Sequence, residues 1–209
     1  VFDLYLITDA SLPDVASAVR EALQHAPPGR VAVQLRAKQR QSRELLALAE
    51  ALRSITWERG ATLYINDRVD VARIAQADGV HLPEQGLPID AARSVLGASA
   101  QVGVSCHDAA GLARAAQQGA SFATLSPVFE TRDKGPALGI ARFAELVGAA
   151  NLPVYALGGV QPEHAAALRM SGAVGFAAIS AVFGAPDRGA AVARCLNAWQ
   201  AADPVRSKD

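Results

Sequence analysis

The chain has 209 residues, with 20 Lys plus Arg balanced by 20 Asp plus Glu, so its net charge is zero and neither a nucleic-acid nor a membrane surface is expected. Hydrophobic residues make up 51% and aromatic residues 5%, and alanine is abundant, a mixture that suits helices packed on a buried parallel sheet. No apolar run approaches the roughly 18 residues of a membrane span and no signal peptide opens the sequence, which leads to the expectation of a cytoplasmic protein.

Short β-branched runs alternate with alanine-rich helical segments from end to end. In chain order the predicted strands are "DLYLITD", "VAVQLRA", "TLYIND", "GVHLP", "QVGVSC", "SFATLSPV", "PVYALGG" and "GFAAIS". Most are nearly continuous apolar runs, as strands covered on both faces require. Helical periodicity follows the first strand in "DVASAVREALQHA" and the second in "SRELLALAEALRSITWERG". In the latter Leu45, Leu48, Ala49 and Leu52 share a face, Ser42 is the expected N-cap and Gly60 the stop. A short helix is expected in "VDVARIAQ", then others in "AAGLARAAQQG", from about Ile140, in "EHAAALRMSG" and in "GAAVARCLNAWQAA".

Eight strand–helix units average about 26 residues, which predicts a single (β/α)8 barrel over residues 1–200 and a polar tail over 201–209. A doubly wound open sheet is the competing architecture. Cys106 and Cys195 are far apart, lack metal-ligand spacing and read as reduced thiols, with Cys106 packing on the outward face of its strand.

A barrel of this class places its active site at the C-terminal ends of the strands, so polar residues should interrupt the apolar runs there. They do. Gln34, Arg36 and Lys38 alternate at the end of the second strand, which predicts one shared face. Asn66 and Asp67 end the third, and Asp67 reads equally as a helix cap or a metal ligand. The fourth reaches His81 and Glu84, and the fifth Ser105 and His107, where both histidines read first as barrel-lining residues. The last two strands end in Gly158-Gly159 and Ile179-Ser180, each just before a helix, where barrels commonly bind phosphate. Arg36, Lys38 and Lys134 suggest a second anion site, and Asp67 a metal beside it. Between them, "ETRDK" after the sixth strand reads as a charged lid.

The motifs "QLRAK", "YINDRVDVA", "ADGVHLPE", "VGVSCH", "SPVFETRDK", "ALGGV" and "GFAAIS" occur in the order and approximate spacing of the thiamine phosphate synthase superfamily, which also includes the aminothiazole tautomerases. The chain resembles that superfamily from "LYLITD" to "AISAVF", nearly its full length. The resemblance implies a (β/α)8 barrel and a Mg²⁺-assisted coupling of hydroxymethylpyrimidine diphosphate to a thiazole phosphate, with release of pyrophosphate. It assigns Gln34, Arg36, Lys38 and Asn66 to the pyrimidine diphosphate, Asp67 to magnesium and Ser105 to the pyrimidine or leaving group. Thr131 and Lys134 fall in a loop that closes over the diphosphate, while Gly159, Ile179 and Ser180 meet the thiazole phosphate. Two positions depart from the synthase pattern. Gly86 stands where a second acidic magnesium ligand is usual, with Glu84 two positions away. "HLPEQGLP" and "VFET" look closer to the tautomerase branch, which isomerises a thiazole carboxylate phosphate without metal. The tautomerase histidine after the sixth strand is here Ser126 or Pro127, leaving His107 as the acid–base candidate. Coupling, metal-free tautomerisation and non-catalytic binding of a thiazole or thiamine phosphate are the readings to separate, and the oligomeric state, a homo-oligomer included, is left open.

Overall fold

The computed structural model describes residues 1–9, 11–131 and 135–202. Eight parallel strands close into a barrel in sequence order: β1 (Leu4–Ile7), β2 (Val31–Leu35), β3 (Thr62–Asn66), β4 (Gly79–Leu82), β5 (Gln101–Cys106), β6 (Phe122–Leu125), β7 (Val154–Ala156) and β8 (Gly175–Ala178). The last strand returns to the first through Leu4↔Phe176 and Tyr5↔Ala177, so no sheet edge is left open. All eight strands match the sequence expectation, and the open-sheet alternative is excluded by closure.

Helices cover the outside: α1 (Val15–Ala22), α2 (Ser42–Glu58), α3 (Val69–Ile74), α4 (Ile89–Leu96), α5 (Ala109–Gln117), α6 (Gly139–Gly148), α7 (Ala165–Met170), α8 (Ser180–Phe183) and α9 (Arg188–Ala201). Three start on aspartate caps. Asp14, Asp108 and Asp187 accept from the backbone N–H of Ser17, Gly111 and Ala190 at 2.8 to 2.9 Å, satisfying first-turn donors. Ser42 is not a cap. It is the first helical residue of α2, and Gln41 in the cap position makes no side-chain cap bond. The helix holds because Leu45, Ala49, Leu52 and Ile55 bury one stripe, and it stops before Gly60, whose φ of +62° is left-handed. Helix α4 escapes the sequence pattern because it is only eight residues long and buries little beyond Ile89 and Ala92, after a proline-rich approach. The expected tail lies outside the described residues beyond Ala202.

Two apolar regions follow from the two faces of each strand. The larger lies between barrel and helices and includes Cys106 and Cys195, both free thiols. Burial pushes the first up to about 12 and the second to about 11, so both are inert packing groups. The smaller fills the barrel itself with Phe2, Tyr5, Ile7, Tyr64, Phe122 and Tyr155 beside small residues. Large rings there face glycines: a Cβ on Gly103 would sit 2.4 Å from the Phe122 ring, and one on Gly175 would sit 2.6 Å from Tyr155. The scarce aromatic residues thus plug the N-terminal half of the barrel and leave the C-terminal half for polar side chains.

Candidate active site

Above the aromatic plug, inward positions turn polar. Gln34 and His81 are each 2% exposed, and Thr124 is fully buried. Isolated polar groups at that depth would be costly, and here they meet one another. The Gln34 Nε2 donates to the Tyr5 hydroxyl at 3.0 Å, and that hydroxyl lies 3.3 Å from His81 Nδ1. His81 Nε2 is 3.1 Å from Ser105 Oγ and 3.5 Å from Thr124 Oγ1. Burial, with the positive charge of Arg36 next in weight, holds the His81 imidazole down at about 3. His81 is therefore a neutral, barrel-lining histidine at physiological pH, as the sequence suggested. Tyr5 and Thr124 were missed. Their signal was available, since both sit on the inward alternation set by Gln34 and His81.

The rim over β2 and β3 is built of charged side chains. The ladder ends at Leu35, and Arg36 is held beyond it by its backbone N–H, which donates to Thr8 Oγ1 at 2.9 Å. Lys38 lies further on, in a turn closed by the Arg40 N–H on the Ala37 carbonyl at 3.1 Å. The alternation expected to put Gln34, Arg36 and Lys38 on one face therefore stops before Lys38, because strand periodicity ends with the ladder. Arg36 and Lys38 are exposed, and neither makes an ion pair among the described residues. Asn66 ends β3 opposite His81. Asp67 follows at φ +65°, pinned by its N–H on the His81 carbonyl at 2.9 Å. This left-handed backbone is uncommon outside glycine and best tolerated by Asn and Asp. Arg68, not Asp67, occupies the cap position of α3, so the capping alternative for Asp67 does not hold.

The opposite rim is built of main chain. Thr131, Leu157, Gly158, Gly159, Ile179 and Ser180 line one cavity of about 100 Å³ at the ends of β7 and β8. Ser180 and Ala181, the first residues of the short α8, lie in its lining, and first-turn N–H groups have no acceptor within their own helix. Gly158 and Gly159 have φ of +95° and +64°. A Cβ on Gly159 would lie 2.5 Å from the Glu130 carbonyl oxygen and one on Gly158 would lie 2.8 Å from Pro127 Cα. Glycine is thus required at both positions by the chain after β6, which packs on this turn. That chain is clasped at both ends. The N–H groups of Val128 and Phe129 donate to Leu157 and Gly158, and those of Leu138 and Gly139 return to Pro127 and Val128, all at 2.9 to 3.0 Å. The loop between carries Thr131 to the phosphate-sized cavity. Lys134 lies outside the described residues.

His107 is exposed, and its Nδ1 donates to the Ser126 carbonyl at 2.7 Å, which leaves Nε2 as the open nitrogen. Glu84 is turned to Arg114 at 2.8 Å. Among the described residues no cluster of three or more His, Cys, Asp or Glu is arranged to hold a metal, and no helix is long and apolar enough to cross a membrane. A larger cavity of about 360 Å³ lies between α5 and α6, lined by alanines, Leu112 and Leu146 without a titratable group.

The sequence model of the thiamine monophosphate synthase family matches residues 4–182. The chain belongs to that family. A putative thiamine-phosphate synthase of Geobacter sulfurreducens is 45% identical over 192 residues, covering 89% of each chain. The thiamine-phosphate synthase of Methanoculleus marisnigri is 40% identical over 189 residues, 89% of this chain and 90% of its own. Among solved structures, a thiamine phosphate pyrophosphorylase from Pyrococcus furiosus superposes with a TM-score of 0.87 at 32% identity, covering 96% of both chains. The family match spans β1 to the start of α8, so both rims and the polar floor fall inside it.

Proposed function

We propose that this protein is a transferase of thiamine biosynthesis that couples hydroxymethylpyrimidine diphosphate to a thiazole phosphate, giving thiamine phosphate and pyrophosphate. The observation that carries the reading is the two-sided mouth. A main-chain cavity sits at β7 and β8, and a separate pair of cations without an ion pair among the described residues, Arg36 and Lys38, sits at β2. Two anionic substrates of different size fit two such sites, and family membership supplies their identity. In the reaction the bond from the pyrimidine methylene carbon to the diphosphate oxygen breaks, its electron pair leaves with pyrophosphate, and the thiazole nitrogen bonds to that carbon. Arg36 and Lys38 stabilise the charge growing on the departing pyrophosphate, a role that the family resemblance extends to Lys134. Gln34, Asn66 and Ser105 hold the pyrimidine. Thr131 with the amides at Gly159, Ile179 and Ser180 holds the thiazole phosphate, which moves Thr131 from the diphosphate side to the thiazole side. Gly158 shapes that turn.

Asp67 is the candidate magnesium ligand. Its carboxylate is exposed on the rim beside Asn66, while Glu84 is occupied by Arg114 and position 86 is glycine. One carboxylate suits magnesium, which keeps several waters and draws further ligands from substrate phosphates. When bound it would offset diphosphate charge beside Arg36. Asp67 itself would anchor the ion and orient the diphosphate towards the cationic rim.

The open Nε2 of His107 favours one second reading, metal-free isomerisation of a thiazole carboxylate phosphate with His107 as acid and base. Purified protein incubated with each substrate set, with Mg²⁺ and with EDTA, separates the two. Pyrophosphate released only with both coupling substrates and Mg²⁺ supports the transferase. Isomerisation that persists in EDTA, with no pyrophosphate, overturns it.

A further inference from the structure

The polar floor of the barrel has a direction. Tyr5 is fully buried, and its hydroxyl meets Gln34 Nε2 at 3.0 Å and His81 Nδ1 at 3.3 Å. A phenol has one proton to give. Since the Gln34 amide nitrogen donates to the phenol oxygen, the phenol proton points to His81 Nδ1. A neutral imidazole accepting at Nδ1 carries its own proton on Nε2. That N–H faces Ser105 Oγ at 3.1 Å, with Thr124 Oγ1 further away at 3.5 Å. Ser105, as the acceptor of this bond, keeps its O–H free to donate into the mouth of the barrel. The chain of bonds crosses from β2 through β1 and β4 to β5, so four strands agree on one polarity.

We propose that Tyr5 and His81 are positioning residues for the coupling reaction, fixing Ser105 as a hydrogen-bond donor to a ring nitrogen of the pyrimidine substrate. Unprotonated pyrimidine nitrogens accept and do not donate, so a serine locked as donor is matched to that ring. A serine whose O–H is spent on His81 Nε2 through the opposite tautomer would offer the ring only an acceptor and would be mismatched. Neither Tyr5 nor His81 need touch the reacting atoms. Their part is to remove the wrong orientation before the substrate arrives. The inference rests on the coupling reading for its substrate, while the bond polarity stands on the geometry alone.

Tyr5→Phe tests it with little disturbance to packing, because the ring keeps its neighbours Phe2, Tyr64 and Phe122 at 5.2 to 5.6 Å. Nitrogen-15 NMR of the His81 ring in wild type should show a neutral imidazole protonated on Nε2. In Tyr5→Phe the two tautomers should mix, because Nδ1 has lost its donor. With coupling measured at saturating Mg²⁺, KM for the pyrimidine diphosphate should rise about tenfold, while KM for the thiazole phosphate stays within about twofold. A wild-type proton on Nδ1 overturns the proposal. So does a Tyr5→Phe enzyme whose two KM values both stay within about twofold, or both rise equally, since equal losses mark a merely structural tyrosine. If Tyr5→Phe does not fold, the wild-type spectrum alone decides the polarity. If wild type does not couple the substrates, the functional reading fails while the spectrum still decides the relay.

Discussion

In the proposed reaction the two sides of the barrel mouth would each hold an anion, and they are built for it by opposite means. At β7 and β8 the donors are main-chain amides fixed by two left-handed glycines and by the clasped chain after β6. At β2 and β3 they are long exposed side chains, Arg36 and Lys38, with Asp67 beside them and no ion pair to Arg36 or Lys38 among the described residues. The first side is finished before ligand binds, and its parts also hold the fold together. The second is assembled by the ligand, and its parts contribute little to the fold. Stability and function are therefore coupled on one rim and separable on the other.

The largest effect should come from breaking the finished side. Gly159→Ala places a Cβ 2.5 Å from the Glu130 carbonyl oxygen at a φ of +64°. Left-handed strain and overpacking together should cost about 3 kcal/mol in urea unfolding, and calorimetry should show phosphate binding lost with it. Unchanged unfolding with lost binding would mean the glycine serves the ligand after all, and the contrast between the rims would be wrong.

Arg36→Ala should do the reverse. Its unfolding free energy should stay within about 0.5 kcal/mol of wild type. Its kcat/KM for coupling should fall about 100-fold, roughly 2.7 kcal/mol of transition-state stabilisation. Destabilisation comparable to that of Gly159→Ala would remove the distinction.

The floor between the rims should show itself through pH. His81 is held at about 3 against an ordinary value of 6.5, by burial first and Arg36 second. Above pH 6.5 neither folded nor unfolded chain protonates it, and it adds no slope. As the pH falls from 6.5 towards 3 the unfolded chain gains a proton that the folded chain refuses. Its contribution to stability is then lost, at up to about 1.4 kcal/mol per pH unit. Urea titrations between pH 6.5 and 4.5 should show a shallower fall for His81→Gln than for wild type, and parallel curves would place the imidazole in water.

The smallest effect should follow Arg114→Ala. Its pair with Glu84 is more than half exposed on the arginine side, so less than about 1 kcal/mol of stability should go, with both KM values unchanged. A changed magnesium requirement in the coupling assay would instead bring Glu84 into the working rim.

Much of this was legible beforehand, unevenly. The eight strands were readable because burial on both faces leaves an apolar run with no competing pattern. The placement of Asn66, Asp67 and Ser105 at strand ends was readable because they break such runs. Ser42 misled because the residue type fits a cap, whereas the helix starts at Ser42 with Gln41 before it. Lys38 misled because alternation was carried past Leu35, where the ladder ends. Thr131 has no address in the sequence because it lies in a loop, and the clasp onto β7 places it in the lining of the same cavity as Gly159.

The sequence by itself determined the eight strands and their succession along the chain, the family resemblance and the kinds of side chain at the strand ends, because periodicity and residue type are local properties, while closure into a barrel was decided by the pairing of β1 with β8. Tertiary structure alone decided what those side chains meet. Tyr5, Gln34, His81 and Ser105 lie on four strands, up to 100 positions apart, and only barrel closure sets their hydrogen bonds in one line. The glycines at 158 and 159 were visible as letters, but the reason for them was the chain about 30 residues earlier, which packing brings to 2.8 Å from a Gly158 Cβ at Pro127 and to 2.5 Å from a Gly159 Cβ at the Glu130 carbonyl. Contacts between distant segments depend on the path of the whole chain, which no single stretch of it carries.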